Sequence, residues 1–206
     1  MSTLSPGEVA AWKALIESEA VSICRRSLAR YEDANQRYLL RILGDDFAVI
    51  PSQRMIKCLS FEPVQIDLNF RLMTLIYLTN AKKIELSGRL VQANQLRGGE
   101  SFFKGVHSLP GKELENRFGA SPEGLRKACL ALDGRAVPFG DLAMEVRVLP
   151  RVPVTIVLWV ANNEFPARTS FLFDSTVEDH LPLDALLAAV HTASKRILAY
   201  DRKNGE

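Results

Sequence analysis

Residues 154–160 read Val-Thr-Ile-Val-Leu-Trp-Val, apolar on both faces of an extended backbone and broken only by Thr155. The wider apolar stretch, residues 152–161, contains Pro153 and falls far short of the ~20 residues that a membrane-crossing helix needs. Its β-branched content fits a strand buried on both faces, which must have a neighbour along each edge. The flanking sequence supplies both neighbours. Leu142, Met144, Val146 and Val148 alternate with Ala143, Glu145 and Arg147, the period of a half-exposed strand. Residues 168–174 give the third strand, and Asn162-Asn163-Glu164-Phe165-Pro166 the turn before it. The expectation is an antiparallel meander with residues 154–160 at its centre, and with Trp159 in the core among apolar neighbours.

Helical periodicity governs most of the rest. Ser5-Pro6-Gly7-Glu8 is a capping box with proline in the first turn, followed by Ala11, Leu15 and Ile16 behind Trp12. A second helical stretch places Val21, Cys24 and Leu28 on one face. Tyr38 to Leu43 and Phe47 to Ile50 flank Gly44-Asp45-Asp46, which predicts a β-hairpin. Residues 69–78 are apolar nearly all round, as in a buried helix. Residues 87–109 lack a period and read as one long irregular loop. Residues 110–118 form a helix closed by Gly119 as a left-handed cap, and Ser121-Pro122 opens another carrying Leu125, Ala128, Cys129 and Leu132. A terminal helix starts near Pro182 and Asp184, with Leu183, Leu186, Leu187, Val190 and Ile197 on one face. Lys195, Arg196, Arg202 and Lys203 suit the negative end of that helix. The expected class is α+β: an antiparallel sheet, hairpin plus C-terminal meander, covered by several helices in a single domain over residues 1–206.

Composition narrows the function classes. The 206 residues carry 26 basic and 24 acidic side chains, a formal charge of +2 that gives no general attraction for nucleic acid or anionic lipid. The densest basic group, Arg25-Arg26 with Arg30, reads as a solvated helical face. Cys24, Cys58 and Cys129 are odd in number, widely spaced and without a C-x-x-C pair, which argues against a disulfide framework or a metal ribbon. No basic-then-apolar leader opens the sequence, so a cytoplasmic protein without membrane contact is expected.

Leu149-Pro150-Arg151-Val152-Pro153, Trp159, Glu164-Phe165-Pro166 and Leu172-Phe173-Asp174 together resemble an uncharacterised prokaryotic domain family of unknown function found in anaerobes. Leu86-Ser87-Gly88 and residues 114–119 are similar to the same pattern, so the resemblance covers nearly the whole chain. Some members of that family are labelled iron–sulfur proteins, which implies at most an accessory role in corrinoid or iron–sulfur metabolism. The chain lacks a cysteine-rich segment to hold a cluster, so no cofactor and no metal is expected.

Candidate site residues fall into three groups. Glu164 and Arg168 make a possible local pair at the turn, and Asp174, Glu178, Asp179 and His180 form a second group. The strand between them separates the two groups by about 20 Å. The irregular stretch adds Arg97 and Lys104, beside Arg89 and His107, as cations for an anionic ligand. Asp174, Glu164 or His180 would serve as acid or base in a hydrolase or lyase. The plainer reading makes Asp174 a cap on backbone amides. No nucleophile elbow or phosphate loop is present; Gly98-Gly99 is a turn without the required spacing. The leading expectation is therefore a non-enzymatic domain that binds a small molecule or a protein partner, with a homodimer left open.

Overall fold

The computed structural model describes residues 4–60 and 64–204. Helix α1 (Pro6–Glu17) starts on the expected capping box, with Ser5 Oγ accepting from the Glu8 amide and Glu8 bonding back to the Ser5 amide. Glu8 is itself buried and pairs with Arg71, so the cap also anchors the helix. Trp12 and Leu15 are buried, whereas Ile16 faces outward. In helix α2 (Ala20–Ser27) the buried face is Ile23 and Ser27; Val21 and Leu28 are exposed, contrary to the helical face expected from Val21, Cys24 and Leu28.

Strands β1 (Arg30–Glu32), β2 (Arg37–Ile42), β3 (Asp45–Ile50) and β4 (Met55–Cys58) form an antiparallel sheet in chain order. The β2–β3 hairpin has a two-residue turn, Leu43-Gly44, with φ of 48° and 81°, the sign pattern whose twist matches the strands. A Cβ on Gly44 would lie 3.0 Å from the Leu132 carbonyl carbon, so glycine lets the hairpin tip press against the end of a helix.

Helix α3 (Leu68–Asn80) follows and is largely buried, as expected. The stretch expected to be irregular instead contains β5 (Leu90–Gln92), the short α4 (Gly99–Phe102) and two single 3-10 turns. Then come α5 (Gly111–Phe118), α6 (Pro122–Ala131), β6 (Arg135–Val137), β7 (Leu142–Leu149), β8 (Val152–Trp159), β9 (Arg168–Asp174) and α7 (Leu183–Asn204). The second sheet is antiparallel in the order β5-β9-β8-β7-β6, so β8 is central as predicted. The hairpin and the meander thus sit in two sheets, and the fold is α+β.

Pro153 is tolerated in this central strand because of where it falls. It pairs with Arg147 beside a register irregularity between Arg147 and Leu149, and the β8–β9 register begins one residue later, at Val154 with Phe173. Helices α1, α3, α6 and α7 pack on one another, and one contiguous apolar core includes side chains of both sheets. Gly119 is not the left-handed cap expected: its φ is −63°. A Cβ there would lie 2.4 Å from the Ala167 side chain, and its carbonyl accepts from the Ala161 amide at 2.9 Å. Glycine is needed to seat the β8–β9 turn against the end of α5.

Candidate functional site

Strand β9 separates two polar regions that use charge differently. At its C-terminal end a strap, residues 81–89, runs from α3 to β5, and long-range polar side chains grip its main chain. Arg26 donates to the carbonyls of Thr79 and Ala81 at 2.7 and 2.9 Å, capping α3 rather than lying on the solvated face expected. Arg151, 4% exposed in the β7–β8 turn, donates to the carbonyls of Arg26 and Ile84 at 2.8 and 2.7 Å. The Arg151 amide donates to the Tyr77 hydroxyl, which donates in turn to the Ser27 carbonyl.

Asp174, 2% exposed, completes the grip. Its Oδ1 accepts from the amide and hydroxyl of both Ser87 and Thr176, and its Oδ2 accepts from the Gly88 amide at 2.7 Å. Burial pushes this carboxyl pKa up, but the donors from Thr176, Ser87 and Gly88 outweigh it and hold the pKa at about 2. His180 is buried as well; its Nδ1 accepts from the Lys82 amide at 3.4 Å, and its Nε2 has no partner. Burial, reinforced by the Arg151 charge, pushes the imidazole below its usual range. A carboxylate this weakly basic and a ring this enclosed make poor proton-transfer groups. Asp174 is the amide cap of the plainer reading.

At the N-terminal end of β9 the charge is open. The β8–β9 turn is braced by Asn162, whose Oδ1 accepts from the amides of Glu164 and Phe165 at 2.9 and 2.8 Å. It is braced again from helix α5, where Glu115 Oε1 accepts from the Thr169 amide at 2.8 Å. On this frame the Arg168 guanidinium stacks over the Trp159 ring, 4.6 Å from its centroid. Trp159 is therefore half-buried at the end of β8, paired with Arg168 across the register, and not in the core. An open cleft of about 570 Å³ runs between this stack and α5, with Lys112, Phe165 and Pro166 on its walls. Phe165 is 65% exposed, a large apolar surface left in water. Lys112 is neutralised by Glu115 at 3.3 Å, whereas among the described residues Arg168 has no ion pair.

The remaining expected residues scatter. Glu164 is exposed in the turn, and among the described residues no ion pair joins it to Arg168. With Glu164 at one end of β9, and with Asp174 and His180 both bonded to the strap at the other, the acid/base trio does not converge. Arg97 is exposed, its amide donating to Glu178. Lys104 lines a separate cleft of about 460 Å³ with Gln92, Asn94 and Phe103, while His107 stacks on Phe102. A third cleft, about 430 Å³, is lined by Lys195 and Arg196, but Asp67 and Asp45 neutralise both. Cys24, Cys58 and Cys129 lie on separate elements, and burial drives the Cys129 thiol up to about 12. Among the described residues no three His, Cys, Asp or Glu side chains gather as a metal-holding group, and no helix is long and apolar enough to cross a membrane.

Trp159, Phe165, Lys112 and Glu115 were not among the expected site residues. One signal was present: counting outward from Asn163-Glu164 as the centre of the turn pairs Trp159 with Arg168, the register observed. The segments that carry the sequence resemblance fall on the two ends of β9. Leu86-Ser87-Gly88, Arg151 and Asp174 meet at the strap, and Trp159, Phe165 and residues 114–119 meet at the cleft. No curated protein and no solved structure matches the chain. A family model described as a domain of unknown function, DUF3786, matches residues 19–196, and the chain belongs to that family.

Proposed function

We propose that this chain is a single-domain, non-enzymatic binding module that captures a small anion with a flat apolar part in the cleft at Trp159 and Arg168. The observation that carries this reading is the guanidinium held over the indole without a carboxylate partner. Stacking fixes the plane of the guanidinium and leaves its edge N–H groups free to meet a carboxylate or phosphate in a bidentate pair. Phe165 and Pro166 offer the apolar wall against which a ring would lie.

Fluorescence gives a selective test. Of the two tryptophans, Trp12 is wholly buried, so a change in emission on ligand addition reports Trp159. Titration with 2-naphthoate is expected to change that emission, and the neutral 2-naphthol to bind about tenfold more weakly, the worth of one charge-assisted pair. Arg168→Gln is expected to remove the difference between the two probes. Equal binding of both probes by the parent protein, or no response of Trp159 to naphthoate at several millimolar, overturns the reading.

A further inference from the structure

We propose that the strap, residues 81–89, is acid-released: protonation of His180 unfastens Lys82 and lets this segment, with β5, lift from the edge of β9. The cleft at Trp159 plays no part in this argument, which rests on the chemistry of the other end of the strand.

The strap is held by polar bonds more than by apolar burial. Past Ala81, which is buried in the core, Lys82, Lys83, Glu85, Ser87, Gly88 and Arg89 are all exposed, and Ile84 and Leu86 only half-buried. Strand β5, in which it ends, pairs with β9 over three residues. A segment with so little apolar anchoring opens locally without unfolding the rest.

The bond to His180 is the strap's longest hydrogen bond and the one that changes with mild acid. Because Nδ1 accepts from the Lys82 amide, the neutral ring carries its proton on Nε2. A second proton on Nδ1 would set an N–H against the Lys82 N–H, and the bond is lost. The new charge would face four groups: the Arg151 and Lys82 cations, which oppose it, and the Asp174 and Asp179 carboxylates, which favour it. Neither carboxylate stands idle. Asp179 is engaged by Lys82 Nζ at 2.7 Å, and Asp174 already accepts from Ser87, Gly88 and Thr176. The buried cation is relieved by opening: Lys82 moves away and water reaches the ring. Lifting β5 leaves the outer edge of β9 at residues 172–174 unpaired and removes Gln92 from the wall of the cleft that Lys104 lines.

The test is amide hydrogen exchange of the full chain at about pH 7.5 and about pH 5.5, corrected for intrinsic rates and read by mass spectrometry. Peptides covering residues 81–92 are expected to exchange about tenfold faster or more at the lower pH, each unit of pKa difference between closed and open ring being a factor of ten. Peptides from α7 are expected to stay unchanged. His180→Asn keeps an acceptor near the Nδ1 position without the titration, and is expected to abolish the response. His191→Asn, at the other histidine that burial depresses, is expected to leave it intact. Should His180→Asn fail to fold, NMR of the parent protein decides, since the Lys82 amide and the His180 ring must titrate with one midpoint. Equal protection of the strap at both pH values overturns the proposal, as does acid loosening that persists in His180→Asn or two distinct midpoints.

Discussion

Asp174 and Arg168 close opposite ends of one strand, and the contrast between them separates a charge that holds the fold together from one that is free to bind. Asp174 is buried and accepts from five donors, four on Oδ1 and one on Oδ2, so most of its hydrogen-bonding capacity is spent inside the fold. Arg168 lies in the open, oriented by a ring that takes none of its donors. The number of hydrogen bonds still unmade, more than the charge itself, distinguishes the end proposed to bind.

The contrast breaks most visibly at the buried end. Asp174→Ala strands two main-chain donors on the strap and is expected to lower unfolding stability by about 3–5 kcal/mol, measured by denaturant titration, while naphthoate affinity of the folded protein stays the same. A loss below about 1 kcal/mol would make Asp174 as dispensable as a surface residue. Acid gives the next largest effect, and its sign is fixed. Asp174 has a folded pKa of about 2 against a reference of 3.8, so its stabilisation is fully present above the reference and is lost as pH falls from there toward 2. The loss amounts to about 2 kcal/mol. The depressed His180 adds a loss in the same direction that begins as pH drops below 6.5. Stability should therefore rise with pH through both windows, and a urea midpoint that is flat from about pH 6.5 to 4 would remove the histidine contribution. At the open end, Arg168→Gln is expected to change stability by less than about 0.5 kcal/mol in the same titration, because the side chain is exposed and has no ion partner to strand.

How much of this was legible follows from element length and from who supplies the partner. The capping box of α1, the apolar α3 and the β7–β9 meander carry their periods within the local sequence, and all formed as read. Strands β1, β4, β5 and β6 span only three or four residues of mixed polarity, such as Arg135-Ala-Val and Leu90-Val-Gln. They are strands because a neighbour pairs with them, the adjacent strand for β1, β4 and β6 and the far-off β9 for β5, and three or four residues are too few to show a period. The two arginines misread as surface charge or left without a role, Arg26 and Arg151, find their acceptors on carbonyls 53 to 125 residues away. Trp159 was misplaced for a related reason: apolar neighbours along the chain do not reveal that the ring at the strand's end meets the Arg168 guanidinium across the register and not the core.

The strap is gripped by its main chain at most of its fastenings, which decides how its sequence can drift. Arg151 needs only a carbonyl at position 84, and His180 only an amide at position 82. The side chains at positions 83 and 84 are therefore replaceable without loosening the polar attachment, whereas Lys82 and Glu85 add ion pairs to Asp179 and Arg151. Proline is the exception at 82 and 87, where it would delete a gripped N–H, and position 88 is held to glycine by its φ of 72°. Relatives of this chain can thus share the attachment while sharing few of the strap's side chains, so that a comparison of residues in this segment would underrate how alike the structures are.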